Sequence, residues 1–594
     1  MCWMKKMITL TLVVSMIFTI ASCAFKSSDS AISSTTQGIS ADTTVAGQTI
    51  EQELSEDILI NQIGYKSIDK KIAIVKGHHS SFFQVVDATT NKVVLSKDLN
   101  GKVSDKSSGD SVRYADFTEI TVTGQYFISI PKLGKSYEFK IGDKDIYTSI
   151  GDATLRALYF QRCGMTLERK YAGEYTHEAC HNSMAKLYGD ESKEIDVSGG
   201  WHDAGDYGRY VVPAAVTAAD LLLSYEFYPN SFTDTNNIPE SSNKVPDILD
   251  EAKYGIEWML KMQDKASGGV YHKVTSRGFP GMSTMPDMDV DDQIIMPIST
   301  TATADFAAVT AMAARVFKHI DSTFSQKCIQ ASELAWGWLE NNKDFVEFKN
   351  PQDVTTGEYG DSSGTDEISW AAAELFRTTG DQKYSNHFVT NFVSNGFGLG
   401  WQNVSGYGAI AYMFSNSNKT DIKKVEEIKK SWIEKADMFV STTQKDGYLL
   451  AMHKMEYNWG SNMNVANHAM HLLIADKLSN KKEYTEAAEH SAHYLMGRNT
   501  LSQSYVTGFG SKQVLHPHHR PSVADTVKKP IPGLVVGGPN SGLDDDISKS
   551  KLSGLTPAKC YIDDMSSYAT NEVATYWNSP AIFVFAYLNS DIVG

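Results

Sequence analysis

The sequence predicts a mainly α protein in which a small β-sandwich of immunoglobulin-like type precedes a large helical domain with long loops. Two patterns carry this. Between Ile58 and Ile141, short β-type runs such as KIAIV, FFQVVDA, KVVLSKDL, GQYFISI and YEFKI alternate with turns rich in Gly, Asn, Asp, Ser and Lys, which is the rhythm of a sandwich. After Tyr147, apolar residues recur at helical spacing, as in 212–228, 246–263, 301–317, 368–380 and 465–478. A composition 42% hydrophobic and 11% aromatic supplies the core that a 594-residue chain needs. The sandwich has no Cys–Trp–Cys spacing, and few aromatics recur on one strand face, so a structural role against its neighbour is expected. The helical period fits an α/α toroid and a helical solenoid equally.

Taken from the N-terminus, Lys5 and Lys6 precede an apolar run from Ile8 to Ile20, too short to cross a bilayer comfortably. Ile20-Ala21-Ser22-Cys23 closes it, which reads as a bacterial lipoprotein signal over 1–22 with lipid on Cys23. An ordinary secretory signal is the alternative, and palmitate labelling of a Cys23→Ala chain separates the two. Residues 23–56 are rich in Ser and Thr without apolar periodicity, a flexible tether. The sandwich is assigned to 57–145 and the helical domain to 146–594. On this reading the chain is exported, faces outward, and meets the membrane only through the Cys23 anchor.

A formal charge of −16 argues against a nucleic-acid partner, which needs a basic footprint. A neutral polymer such as carbohydrate fits better. Within this acidic chain, GGWHDAGDYGRY (199–210) sets Asp203 and Asp206 three apart among small and aromatic residues. Such a pair is either a turn with capping carboxylates or a place where chemistry happens. Tyr207 to Pro213 separate it from the next helix, which weakens the capping alternative.

Several loops together resemble glycoside hydrolase family 9, cellulases that often carry an N-terminal Ig-like domain. They are NQIGY (61–65), SGGWHDAGDYGRY (198–210), IPESSNKVPDILDEAKYGIEWMLKMQ (238–263), TGEYGDSSGTDE (356–367), SYVTGFG with HPHHRPS (504–522), and YIDDMSSYATNEVATYWNSP (561–580). They stand in the family's order and cover nearly all of the chain from residue 58. The resemblance implies an (α/α)6 barrel and inverting hydrolysis of β-1,4-glucan, with Glu572 as general acid and Asp206 as general base assisted by Asp203. Inversion needs two carboxyls ~6.5–9.5 Å apart, one protonating the leaving oxygen and one activating water. Aromatics around Glu572 raise its pKa, and repulsion keeps the two aspartates from being equal bases. His518 and Asp563 correspond to supporting catalytic residues and Arg520 to a substrate-binding one. Tyr271, His272, Trp401, Trp459 and Tyr568 are candidates for sugar contacts, His272 foremost.

Cys163, Cys180, His181 and His202 form a Cys2His2 set suited to structural zinc, and the resemblance supports it. A Cys163–Cys180 disulfide is the rival. Thr356, Glu358 and Asp361, and Glu240, Asn243 and Asp247, offer hard oxygen ligands for structural calcium. No organic cofactor is expected, and a monomer is. Endo-acting β-1,4-glucanase is the leading activity and a cellodextrinase the runner-up, which a lipid-tethered enzyme without a further binding module would suit. A non-catalytic surface glycan-binding protein would have little use for all three of Asp203, Asp206 and Glu572. A polysaccharide lyase would favour a basic cleft.

Overall fold

A computed structural model of the chain describes residues 52–77, 80–143 and 145–590. The lipoprotein signal, Cys23 and the tether up to residue 51 lie outside the described residues. Among the described residues no helix is long and apolar enough to cross a membrane.

The β-rich segment folds as two facing sheets. One orders its strands Ile58–Leu59, Ile72–Lys76, Ser111–Asp116 and Asn100–Ser104. The other runs Gly64–Lys66, Phe139–Gly142, Gly124–Ile130, Phe82–Asp87 and Lys92–Asp98, with Gly134–Lys135 paired to Gly124–Ile130. Alternate residues point inward, so Tyr65, Phe83, Val85, Phe117, Ile128 and Phe139 share one core. The NQIGY motif serves the junction with the helical domain. The Asn61 amide is 3.0 Å from His493 Nδ1, and Gln62 donates to the Ser502 carbonyl and accepts from Lys512 N–H. Farther along, the Asp110 carboxylate accepts from Tyr448, Thr500 and Lys559 at 2.6–2.7 Å. The sandwich is thus bonded into the helical body, and both belong to one compact unit beginning at Gln52.

From Thr148 onward, outer and inner helices alternate along the chain. The inner ones are Val211–Phe227, Thr300–Val316, Thr365–Thr379, Ser405–Met413, Ser461–Ser479 and Thr575–Asn589. The outer ones are Thr148–Tyr159, Asp247–Lys261, Ser322–Asn341, Gln382–Asn391, Ile422–Thr443 and Lys482–Leu495. Burial follows composition. Thr300–Val316, rich in Ala, is buried without a break from Thr300 to Ala314, whereas Ile422–Thr443 buries only Ile428, Trp432, Ala436, Phe439 and Thr443, one stripe at helical spacing. Side-chain caps start both helices, from Ser299 and Asp421. The last inner helix packs on the first, Thr575–Asn589 against Val211–Phe227, which closes the ring into an (α/α)6 toroid and excludes an open solenoid.

Helical periodicity does not disclose a small five-stranded sheet on the barrel. Its order is Asp190–Ile195, Ala185–Leu187, Ile294–Ile295, Lys273–Thr275 and Arg209–Tyr210. Four of these strands have only two or three residues, too few for alternation to register.

Candidate active site

The chemistry gathers where the loops enter the inner helices. Asp203 and Asp206 precede Val211–Phe227, Tyr359 precedes Thr365–Thr379, and Trp401 and Gln402 precede Ser405–Met413. Trp459 precedes Ser461–Ser479, and Glu572 precedes Thr575–Asn589. All of them line one cleft of about 910 Å³, together with Phe279, His518, Arg520, Tyr568 and Tyr576.

The backbone of the aspartate loop is pinned from several sides. Gln161 accepts from His202 N–H through its carbonyl at 2.7 Å and donates its amide to the Ala204 carbonyl at 2.9 Å. The Asp203 carbonyl accepts from Thr575 N–H at 2.8 Å, joining the loop to the helix behind Glu572. Gly205 packs so closely on the next loop that a Cβ there would lie 2.2 Å from the His518 carbonyl oxygen. Only glycine fits.

Each carboxyl has its own surroundings. Burial and the neighbouring Asp206 hold Asp203 well above the usual carboxylate range, against a 2.5 Å hydrogen bond from Tyr359. Burial also raises Asp206, but the Arg520 guanidinium, the Gly208 N–H and the Tyr210 hydroxyl all favour its charged form. Burial and repulsion from Asp206 and Asp203 push Glu572 well up, with Arg520 opposing. Asp206 is therefore the carboxylate best equipped to carry charge, and Glu572 keeps a proton.

His518 faces the cleft with Nδ1 2.7 Å from the Met565 carbonyl. That bond requires a proton on Nδ1, and burial lowers the His518 pKa, so the ring is neutral and Nε2 is free to accept. Arg520 gives its donors to the carbonyls of Pro280 and Gly205 and lies 5.6 Å from the Phe279 ring centre, so it charges the floor while bonding to backbone. The rings of Trp459 and Tyr568 stand 5.3 Å apart and are 44% and 37% exposed, an open aromatic wall.

The expected sugar contacts of His272 and Tyr271 need correction, and Asp563 supports the site from outside the cleft lining. His272 does not reach the cleft. It is fully buried, stacked on Phe348 at 3.9 Å, and it donates Nε2–H to the Glu358 carbonyl while Nδ1 accepts from Ser299. Burial lowers its pKa to about 3, so it is a neutral strut for the loop that presents Tyr359. Asp563 also stands outside the cleft lining. It accepts from Leu515 and His516 N–H and from the Asn571 amide, so it ties the histidine loop to the residue before Glu572 and positions both. Tyr271 lies in a separate groove with Lys261 and Lys327. Tyr359, Tyr576 and Phe279 are cleft residues that sequence reasoning missed, for each is one aromatic among the many that a helical protein buries.

Residues 147–585 match the profile of Glycosyl hydrolase family 9, and residues 53–135 that of the Cellulase N-terminal ig-like domain. The chain belongs to glycosyl hydrolase family 9. Among relatives, a cellodextrinase of Butyrivibrio fibrisolvens is 35% identical over 553 residues, covering 89% of this chain and 99% of that one. A thermostable endoglucanase from Alicyclobacillus acidocaldarius has a solved structure at TM-score 0.85 and 37% identity, over 90% of this chain and 99% of that one. A zinc-binding triple mutant of a family 9 endoglucanase superposes at TM-score 0.84 and 34% identity, over 89% and 100%.

In this family 9 enzyme the four predicted zinc ligands come together. Cys163 Sγ lies 3.8 Å from Cys180 Sγ and 3.5 Å from His181 Nδ1, and Cys180 Sγ lies 3.6 Å from His202 Nε2. All four donor atoms fall within 4.8 Å of one another. These spacings suit a tetrahedron with bonds of ~2.0–2.3 Å, and two cysteines so far apart at sulfur are not a disulfide. Asp289 accepts from His181 Nε2 at 3.2 Å, the outer partner that fixes a ligating imidazole.

The two calcium sets fare differently. Around Thr356 the place of a cation is already filled: Lys273 Nζ donates to Thr356 Oγ1, the Gly357 carbonyl and Asn350 Oδ1. Glu358 accepts from Asn350 N–H and Asp361 from Ser363 N–H. Thr356 Oγ1 is thus engaged by an ammonium rather than left for calcium. In the other loop, Asn243 donates to Asp250, and Glu240 accepts from Arg162. Asp247 Oδ1 is buried without a partner. Burial, with repulsion from Glu240 and Asp247, raises Asp250 to about 7, as expected of crowded carboxylates that a hard cation would relieve.

Proposed function

We propose that this enzyme hydrolyses β-1,4-glucosidic bonds by inversion, with Glu572 as general acid, Asp206 as general base and Asp203 as a second holder of the attacking water. The observation that carries the roles is the electrostatic division within one cleft: burial raises both carboxyls, but Arg520, Gly208 and Tyr210 favour the charged form of Asp206, while Asp206 and Asp203 push Glu572 well up. A glucan chain lying along Trp459 and Tyr568 has its hydroxyls within reach of His518 Nε2. As the glycosidic bond breaks, the Glu572 proton passes to the leaving oxygen, and water attacks the opposite face while giving its proton to Asp206.

Endo action on β-1,4-glucan is the leading reading, and a trimming role on soluble cello-oligosaccharides is the second, favoured by the similarity to a cellodextrinase along nearly its full length. Viscosity loss on carboxymethyl cellulose, set against the products of cellohexaose, decides between them. Rapid viscosity loss with internal cleavage supports the first, and stepwise shortening at constant viscosity the second. In either case proton NMR of the first product should show the α-anomer, and a β-anomer would overturn inversion.

Zinc fits the Cys163, Cys180, His181 and His202 set, and calcium the Glu240, Asn243 and Asp247 loop with Asp250 added. The zinc is structural, since four protein ligands leave no open position. His202 adjoins Asp203, so stripping the metal should cost both melting temperature and turnover. Full activity in a stable zinc-free protein would rule this out.

A further inference from the structure

We propose that Tyr210 is a positioning residue that gives the two oxygens of Asp206 different tasks, and that the buried Lys273 ammonium sets the direction of the Tyr210 hydroxyl. This rests on the reading of Asp206 as the base.

Two donors converge on one oxygen of the base. Tyr210 OH and Gly208 N–H both lie 3.0 Å from Asp206 Oδ2. A carboxylate so held cannot rotate freely, and Oδ1 is left for the attacking water. The phenol has a single proton, and its direction is not arbitrary. Gly357 N–H donates to the same hydroxyl at 3.2 Å and occupies an oxygen lone pair, so the phenolic proton points to the carboxylate.

Gly357 is itself held at its other end. Its carbonyl accepts from Lys273 Nζ at 2.6 Å, beside Thr356 Oγ1 at 3.0 Å and Asn350 Oδ1 at 2.8 Å. Lys273 is fully buried, and these three acceptors are uncharged. A buried ammonium is costly without an opposing charge. Burial lowers its pKa to about 7, and the charges that oppose this and favour the ammonium are Asp206 and Glu358. Its nitrogen lies 5.5 Å from the centre of the Tyr210 ring, and the short strands set Lys273 opposite Tyr210. Lysine, glycine peptide, phenol and carboxylate thus form one line into the cleft from behind.

The groups facing Asp206 are Asp203 and Glu572, which oppose its charge, and Arg520, Lys273 and Tyr210, which favour it. Tyr210→Phe keeps the ring and removes the hydroxyl, both the donor to Asp206 and the acceptor of Gly357 N–H. In the acid limb of kcat/KM, which reports ionisation of the base, the midpoint should move up by ~1 pH unit. Turnover at neutral pH should fall about tenfold with KM held, and the stranded Gly357 N–H should cost some melting temperature without unfolding the protein. A ring that merely fills space would leave the limb where it was, and an unmoved limb overturns the proposal. Lys273→Met should move the limb the same way, and the double variant should shift it by less than the two single shifts added, because both act through one hydrogen bond. Should Lys273→Met fail to fold, Tyr210→Phe decides alone. If Asp206→Ala keeps its activity, the assignment of the base has failed. If Asp206→Ala is inactive and the Tyr210→Phe limb is unmoved, only the positioning role has failed.

Discussion

Glu572→Gln should lose about two to four orders of magnitude in turnover on glucan while binding it as before, the range that a positioned general acid supplies. Glutamine keeps the shape of the side chain and its place beside His518, but it has no proton to give to the leaving oxygen. The defect should therefore depend on the leaving group. An aryl cellobioside whose phenol departs unprotonated should retain most of the wild-type rate, and steady-state kinetics on the two substrates measures the contrast. Near-normal turnover on glucan would remove Glu572 from its role.

The pH profile gives the same residue a second signature. Burial, Asp206 and Asp203 hold the Glu572 pKa well up, so wild-type kcat/KM should fall as pH rises through that value. Glu572→Gln should lack this alkaline limb. Stability follows from the same shift. Native Glu572 holds its proton to higher pH than the unfolded chain does, so its contribution is fully present below the unfolded value and is lost as pH rises through the folded one. The glutamine variant has no such loss, and above neutrality it should melt no lower than the wild type.

Asp206→Ala should be the other severe lesion, again with the fold intact, because it removes the carboxylate that Arg520, Gly208 and Tyr210 favour in its charged form. Asp203 is a poor substitute: burial keeps it well above the usual carboxylate range, and its Oδ2 is engaged by Tyr359. Removing the Asp206 charge also relieves Glu572, so residual activity should peak at lower pH. Azide needs no base to attack. Added to Asp206→Ala, it should restore part of the turnover and form an α-glycosyl azide, detectable by chromatography. A variant that cleaves glucan at nearly the wild-type rate without azide would return Asp206 to the status of a turn residue.

What the sequence disclosed follows from how far each signal is local. The amphipathic stripe of Ile422–Thr443 and the continuous apolar character of Thr300–Val316 are written in consecutive residues, so the helical body was legible. Closure of the ring depends on Thr575–Asn589 meeting Val211–Phe227 across the whole domain, and no local period encodes that. The motifs around Asp203, Asp206 and Glu572 pointed to residues that do share a cleft. His272 misled because its place in the sequence is compatible with two opposite orientations, and Phe348, Ser299 and Glu358 draw it inward. Thr356 misled because an oxygen-rich loop looks alike whether its cation is a metal or the ammonium of Lys273, which lies far away in sequence. Tyr359 and Tyr210 act through single hydroxyls, and nothing in the sequence separates such a tyrosine from a core one.

The closure of the barrel has a consequence for synthesis. Asp206 enters the first inner helix and Glu572 the last, and only when those helices meet do the two carboxyls face one another. A ribosome-bound chain that has not yet delivered residues 572–589 holds the base and most of the aromatic wall but no acid. On the proposed roles, hydrolytic competence arrives at a single late moment, and a chain that stops before Glu572 carries the base without its acid.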